Sequence, residues 1–536
     1  MYSESSGQSN KKAGKKLRKL FIILIVLILV AVGAVVGYKY FTPTPVEKAV
    51  EQLQFDTSVS ESEKQTIKQA IQEQSKTYQG TITASAKTTL EPTANSMILS
   101  AYVPVTNKYA TRQIISVSEL ESLTLYVSQD IDQSGRTAIA TLLGIDQAKL
   151  TQIDLKTKEI EESAVAFIPA NQISPDTKLL TFEGSYYLDA FQKGAIYREA
   201  SFAGDSATNM QDLKLNSYQT KDDTLKVNIT GVTALTRVMM TKLASVKDPL
   251  YFSELIGGYL ADADITHVSN EVSFKKGCEI SYTVFCSPPE MIEVLKDSGV
   301  DLVELTGNHN NDTGSQYNTE TINLYKSLGW QTIGGGLNTE EAAKFYTADQ
   351  KGSKISFLAY NYPDSPNGNA ISGADKAGAN SFDFDRITTE IETAKKQSNF
   401  VVVNVQFWEC YAYPDGFVEF PQCDSPIPDQ KEVFRKLIDL GADMVIGSSA
   451  HQPQTYEQYN GKPIYYGLGN LYFDQTQWPG TERGIILSHY FAEGKLLQTK
   501  LAPTVFGTDL QTRLMTNEEA LSLLERLRVA RVESGL

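Results

Sequence analysis

From Leu225 onward the chain alternates short apolar runs with stretches of helical spacing, and this rhythm limits the fold more than any other feature. The runs are Leu225–Ile229, Ile265–Val268, Leu302–Leu305, Ile355–Tyr360, Phe400–Phe407, Met444–Ile446 and Ile464–Tyr466, with Ile485–Tyr490 as a later one. Between many of them lie helix-like stretches: Glu290–Asp297, Thr319–Leu328, Glu340–Phe345, Arg386–Lys396 and Gln430–Leu440. Strands alternating with helices imply βαβ units and a layered α/β domain. Residues 225–508 are expected to form that domain. In residues 509–536, Thr516 and Glu519 make a capping box, and Ala520, Leu523, Leu524 and Leu527 follow at helical spacing, so a closing helix is expected there.

The stretch Asp301 to Asp312 ends one of these strands. Leu302–Leu305 stops at Gly307, and Asn308, His309, Asn310 and Asp312 follow in a polar loop. Ligands in open α/β sheets bind beyond the carboxyl ends of strands. Gly, Asn and Asp also dominate ordinary turns for backbone reasons, so a plain turn is the competing reading.

Charge and hydropathy divide the rest. The first nineteen residues carry Lys11, Lys12, Lys15, Lys16, Arg18 and Lys19 against Glu4, while the whole chain is at −15. The acidic body argues against nucleic acid as a partner. Leu20 to Gly37 is an uncharged apolar run, closed by Tyr38, Tyr40 and Phe41. That suffices for a bilayer span, and the basic flank before it places the N-terminus in the cytoplasm and the body outside. We therefore expect a cytoplasmic tail over 1–19 and an uncleaved single-pass anchor over 20–41, in the cell membrane. An outside body with four cysteines favours disulfides. The local pairs Cys278–Cys286 and Cys410–Cys423 are expected, each closing a short loop. A four-Cys zinc site is the alternative, although the C-x₂-C spacing is missing.

After the anchor, Ser60 and Glu63 form a capping box that opens a polar helix, and residues 42–79 read as a helical stalk. Residues 80–203 read as a smaller α/β or α+β domain, with strands at Met97–Val105 and Ala164–Ile168 and helices near Ser118–Leu123 and Arg136–Leu143. Its V-P-V turn, I-S-x-x-E-L helix start and A-F-I-P strand resemble half of a bacterial periplasmic solute-binding fold. A spacer or interaction domain is the other reading. Residues 204–224 are polar and read as a linker.

Four histidines occur. His309 and His451 follow strands in polar loops, whereas His267 and His489 lie inside strand-like runs. The other polar strand ends are Ser269-Asn270-Glu271, Asn404 to Glu409, and Asn470 to Asp474. Convergence of Glu271, Asn308, His309, Glu409 and His451 would give a mixed nitrogen and oxygen donor set that suits a divalent Mn, Zn or Fe. Each residue also has a bland reading, as a solvated carboxylate or a turn cap.

The G-N-H at 307–309 resembles the motif of calcineurin-like metallophosphoesterases. There the Asn amide oxygen binds metal and the His acts near the leaving group. The wider pattern resembles more closely the bacterial CapA family of capsule and poly-γ-glutamate synthesis proteins, also called PgsA. The matching features span roughly 225–480. They are S-N-E at 269–271, Pro288-Pro289, Asp301 through Asp312 to Ile333–Ala342, Glu409, the segment 437–454 with His451 and Gln454, and the segment 459–474 with Asn470 and Asp474. The resemblance implies a metallophosphatase-like domain. It implies a metal on Glu271, Asn308, Glu409 and His451, with His309 and Glu409 in catalysis and Asn310, Asp312, Arg237, Gln454, Asn470 and Asp474 around them. It also implies a cell-envelope polymer or membrane synthase subunits as partners.

Two departures stand out. The family opens with G-D-x-M-L-x-R, whereas here the segment is Gly231-Val-Thr-Ala-Leu-Thr-Arg237, without the Asp. The family's H-x-H is here Ser449-Ala-His451. Three functions follow as alternatives. A metal-dependent hydrolase or transferase would polarise an oxygen with the metal and move protons on His309. A non-catalytic assembly or polymer-handling subunit would carry a degenerate site. A third reading makes residues 80–202 a solute sensor.

Overall fold

The computed structural model describes residues 44–77, 80–94, 96–204, 210, 220–362, 369–407, 429–475 and 477–536. The basic tail, the apolar run, most of the expected linker, Glu409, Cys410 and Cys423 lie outside the described residues. Among the described residues no helix is long and apolar enough to cross a membrane. The chain forms two compact units, one of residues up to Ala101 with Ile196–Asn216, the other of Tyr102–Ala195 with Ser217–Leu536.

In the first unit, Thr44 and Ser60 cap the helices Pro45–Gln52 and Glu61–Glu73 through capping boxes. Between them Leu53–Phe55 pairs in parallel with Ile82–Thr89, which pairs antiparallel with Ile196–Ala203. Ile67, Ala70 and Ile71 pack on Leu53, Ile82, Ala84 and Met97. In the stretch 42–79, expected as a stalk helix, the apolar face of Glu61–Glu73 is part of this core. Glu63 completes its capping box and also receives two bonds from the Arg198 guanidinium, at 2.8 and 3.0 Å. The expected domain over 80–203 is likewise divided, because residues 102–195 group with the second unit.

Within the second unit, Leu125–Ser128 lies between the parallel strands Leu150–Ile153 and Val165–Pro169. A cleft of about 810 Å³ opens at their carboxyl ends, lined by Ser128–Asp130 and Asp154–Glu159 among others. The C-terminal domain holds two larger sheets. In one, Gln331–Ile333, Leu302–Glu304, Ile265–Asn270 and Leu225–Thr233 run parallel, and the antiparallel Arg483–Ala492, Lys495–Phe506 and Thr512–Leu514 extend it. In the other, Ser353–Asn361, Phe400–Gln406, Met444–Ser448 and Lys462–Tyr465 are parallel, with antiparallel Tyr346–Gln350 and Tyr456–Tyr459 at the edges.

The packing makes four layers. Val227, Ile265, Leu302, Phe357, Val402 and Met444 fill the space between the sheets. Val268, Val303 and Leu305 face outward, onto the helices Val238–Val246, Ile292–Asp297 and Ser315–Ser327. Val401, Val403 and Val405 face the helices Phe384–Gln397 and Gln430–Asp439. Strands covered on both faces read as near-continuous apolar runs, as they do here. The closing helix is Asn517–Glu533, and its Leu523, Leu524 and Leu527 enter the inter-sheet core. The segment before it, placed in that helix from the sequence, instead contains the strand Thr512–Leu514.

Candidate functional site at the strand ends

Side chains alternate across a strand, so every second residue meets the opposite sheet. Three strands give inner-face series of Ile265, His267, Ser269, Glu271; of Leu302, Glu304, Thr306, Asn308; and of Val402, Asn404, Gln406. Each series begins apolar and turns polar toward the carboxyl end. The inter-sheet layer is therefore greasy at one edge and hydrogen-bonded at the other, and the candidate site lies on the polar edge.

Its floor is Glu304, 1 % exposed. His267 Nε2–H and Asn404 Nδ2–H donate to its Oε2 at 3.1 and 3.0 Å. Ser448 donates to its Oε1 at 3.1 Å, and so does the Thr306 hydroxyl. Burial alone would raise the Glu304 pKa, but these donors, His267 first, hold it below the usual carboxylate range. A buried carboxylate is tolerated when it is paired and saturated with donors.

Above the floor stands Gln406. Its Oε1 accepts from Thr306 at 3.4 Å, and its Nε2 donates to Glu271 Oε1 at 3.3 Å and to Asn308 Oδ1 at 3.1 Å. A carboxylate can only accept, so Glu271 dictates which end of the Gln406 amide faces it, and that in turn orients Asn308. Gly307 makes this approach possible. A Cβ there would stand 2.5 Å from Glu271 Cα.

Around this centre each candidate residue has a partner. His309 Nδ1–H donates to Asp312 Oδ2 at 2.8 Å, and the same carboxylate oxygen accepts from the Phe285 N–H at 2.9 Å. Phe285 packs on the His309 ring at 4.3 Å. His451 Nδ1–H donates to Asn470 Oδ1 at 2.9 Å, and its ring meets Phe473 at 5.2 Å. Arg237 lies over Phe473 at 4.3 Å and Phe285 at 5.1 Å, and pairs with Asp474 at 3.5 Å. It also donates to the Asp474 carbonyl, while Asp474 Oδ2 accepts from the Val238 N–H at 3.0 Å. Burial lowers the Arg237 pKa and lifts Asp474 to about 6, with their mutual attraction offsetting only part. Arg237 and Ser449 both hold positive φ, at 49° and 78°. Such conformations cost roughly 1–3 kcal/mol each and persist only where the surroundings enforce them.

Two expected site residues do other work. Asn310 donates to the Leu305 and Gly307 carbonyls and shapes the loop. Gln454 is buried, and its N–H donates to the Gly467 carbonyl. Sequence motifs single out Glu409 at this strand end and do not mark Gln406, Glu304, Asn404, Phe285 or Phe473 as site residues. Period-two alternation is the signal that marks Gln406, Glu304 and Asn404.

The metal expected on Glu271, Asn308, Glu409 and His451 fits the described residues poorly. Among these, no three His, Cys, Asp or Glu side chains converge as a cation site. Glu271 Oε1 and Asn308 Oδ1 already share the Gln406 N–H₂ group. Val232, where the family carries its Asp, lies in an apolar cluster with Ala234, Val272, Phe285 and Phe473. Carbon offers a cation no lone pair. The four-cysteine zinc alternative also falls, since Cys278 and Cys286 form a disulfide.

Fold and strand ends together define a mixed α/β protein in which two facing sheets are covered by helices and carry a polar cluster at their strand ends. The bacterial capsule synthesis protein family PGA_cap matches residues 201–475, just over half of the chain, and the chain belongs to that family. It is similar to the capsule biosynthesis protein CapA of Bacillus anthracis, with 26% identity over 208 residues, covering 38% of this chain and 47% of that protein. It is similar also to the PGA biosynthesis protein CapA of Bacillus subtilis (strain 168), with 24% identity over 214 residues, covering 40% and 53%. The chain thus spans about half the length of these curated relatives. Among solved structures, the calcineurin-like phosphoesterase YfkN from Bacillus subtilis aligns over 58% of this chain and 98% of that chain, at 11% identity and a TM-score of 0.31.

Proposed function

We propose that this chain is a membrane-tethered accessory protein of capsule or poly-γ-glutamate synthesis that handles polymer or organises synthase subunits, with its body outside the membrane. The observation that carries the non-hydrolytic half of this reading is Gln406, which engages both Glu271 and Asn308. The Cys278–Cys286 disulfide supports an oxidising, external location. The acidic chain, at −15, supports contact with synthase subunits over broad binding of a polyanion, since like charges repel.

One observation favours a second reading. The His309–Asp312 pair has the geometry of an oriented general acid–base, with the carboxylate fixing the imidazole tautomer. Deleting the gene in a polymer-making host and restoring it as wild type or as His309→Asn separates the two. On the first reading deletion lowers cell-associated polymer, and both versions restore it. Restoration by wild type alone, with the variant present at equal level, would move the assignment to catalysis. Unchanged polymer on deletion would remove both.

A further inference from the structure

We infer that the Gln406 amide is a built-in substitute for a cation, so that this site holds its shape without metal. The inference deepens the non-hydrolytic reading above, but it does not depend on which polymer is involved. Glu271 Oε1 and Asn308 Oδ1 come from the ends of two adjacent strands of one sheet, and Gln406 reaches them from the other sheet. Two oxygens that approach one point require a positive group between them. Here that group is the Gln406 N–H₂, whose two hydrogens carry partial positive charge and which spends one on each oxygen.

The amide is anchored from behind. Gln406 Oε1 accepts from Thr306, whose hydroxyl donates to the buried Glu304. The hydroxyl has a single hydrogen that is spent mainly on Glu304, so its 3.4 Å contact with Gln406 Oε1 is the weaker of the two. Swinging Gln406 aside for a cation would break this contact and both donated bonds. The surroundings agree. Val232, Val272 and Phe285 give an apolar wall, and the Arg237 guanidinium, paired with Asp474, adds only a minor attraction to Glu271. The arrangement turns the usual order around: a neutral amide donor meets the carboxylate that a divalent ion would otherwise neutralise.

The test reverses one atom pair. Gln406→Glu keeps the shape and replaces the N–H₂ with oxygen, so the donor that Glu271 and Asn308 share is lost and a third oxygen faces them. The full-length protein in detergent is freed of metal with a chelator and its Tm is followed as Mn²⁺ or Zn²⁺ is added, with elemental analysis alongside. Wild type should show no change in Tm with either ion and no stoichiometric metal. Gln406→Glu should melt roughly 4 °C lower without metal and recover on adding Mn²⁺ or Zn²⁺, with about one ion retained per chain, as binding to the folded state alone requires. Gln406→Met, which has neither donor nor acceptor, should also melt lower and should not respond to metal. It serves as the reference where Gln406→Glu folds poorly. Stoichiometric metal in the wild type, or a wild-type Tm that climbs with Mn²⁺ or Zn²⁺, overturns the inference. A folded Gln406→Glu protein that ignores both ions overturns it as well. These readouts are independent of polymer yield, so the inference and the proposed function fail separately.

Discussion

At the scale of single residues, two buried titratable groups pull the pH dependence of stability in opposite directions. His489 is fully buried, with Nδ1 on the Thr499 hydroxyl at 2.9 Å, and burial holds its pKa down at about 3. Below the ordinary histidine value the unfolded chain takes up a proton that the folded chain refuses. Its contribution is therefore whole above about pH 6.5 and is lost as pH falls toward 3, by about 5 kcal/mol at most. Asp474 has the reverse sign. Burial lifts it to about 6, so between about pH 4 and 6 the folded chain keeps a proton that the unfolded chain has released. Its contribution is present at acid pH and is lost as pH rises through 6, by about 3 kcal/mol at most. Urea unfolding at several pH values between acid and neutral checks both. His489→Asn should lose less stability on acidification than wild type, and Asp474→Asn should lose more. If both variants keep the wild-type slope, neither residue is the source.

At the scale of elements, the disulfide loop is the clearest link between local structure and the site. Cys278 and Cys286 are eight residues apart and close a loop that ends at Phe285. That Phe holds Asp312 through its N–H and covers His309 with its ring. Loop-closure entropy for so short a loop gives about 2–3 kcal/mol. The double variant Cys278→Ser, Cys286→Ser should lose that much in urea unfolding. His309 should also react faster with an imidazole acylating reagent, because its cover is no longer tied down. Equal reactivity in both proteins would show that Phe285 is held by packing alone. Elements of this kind were legible to different degrees. The helix expected at Gln430–Leu440 and the strand at Phe400–Phe407 appear almost as read, because one has a clean apolar stripe and the other a β-branched run. Lys495–Phe506 was missed, since Lys495, Gln498, Lys500 and Pro503 break its apolar pattern although the strand is mostly buried. At the candidate site, His309 and Asp312 stand out in the sequence because they fall in a polar loop after a strand. Gln406, Glu304 and Asn404 could not be told from core positions by composition, since their partners come from neighbouring and facing strands that sequence spacing does not reveal.

At the scale of the whole chain, the proposed tether predicts on which side of a membrane the described units lie. The apolar run Leu20–Gly37 follows six basic residues, and a basic flank stays in the cytoplasm because translocating it across the membrane potential is costly. The anchor should thus hold the chain with residues 1–19 inside and everything after the span outside. Intact spheroplasts treated with protease should lose an epitope placed after Leu536 and keep one placed before Lys11. Cys278 and Cys286 should resist thiol alkylation in the same cells until a reductant is added, because an external pair stays oxidised. Loss of the C-terminal epitope together with release of the body into the medium would mean that the span is cleaved as a signal. Protection of both epitopes until the membrane is broken would place the body inside and would withdraw the external half of the proposed function.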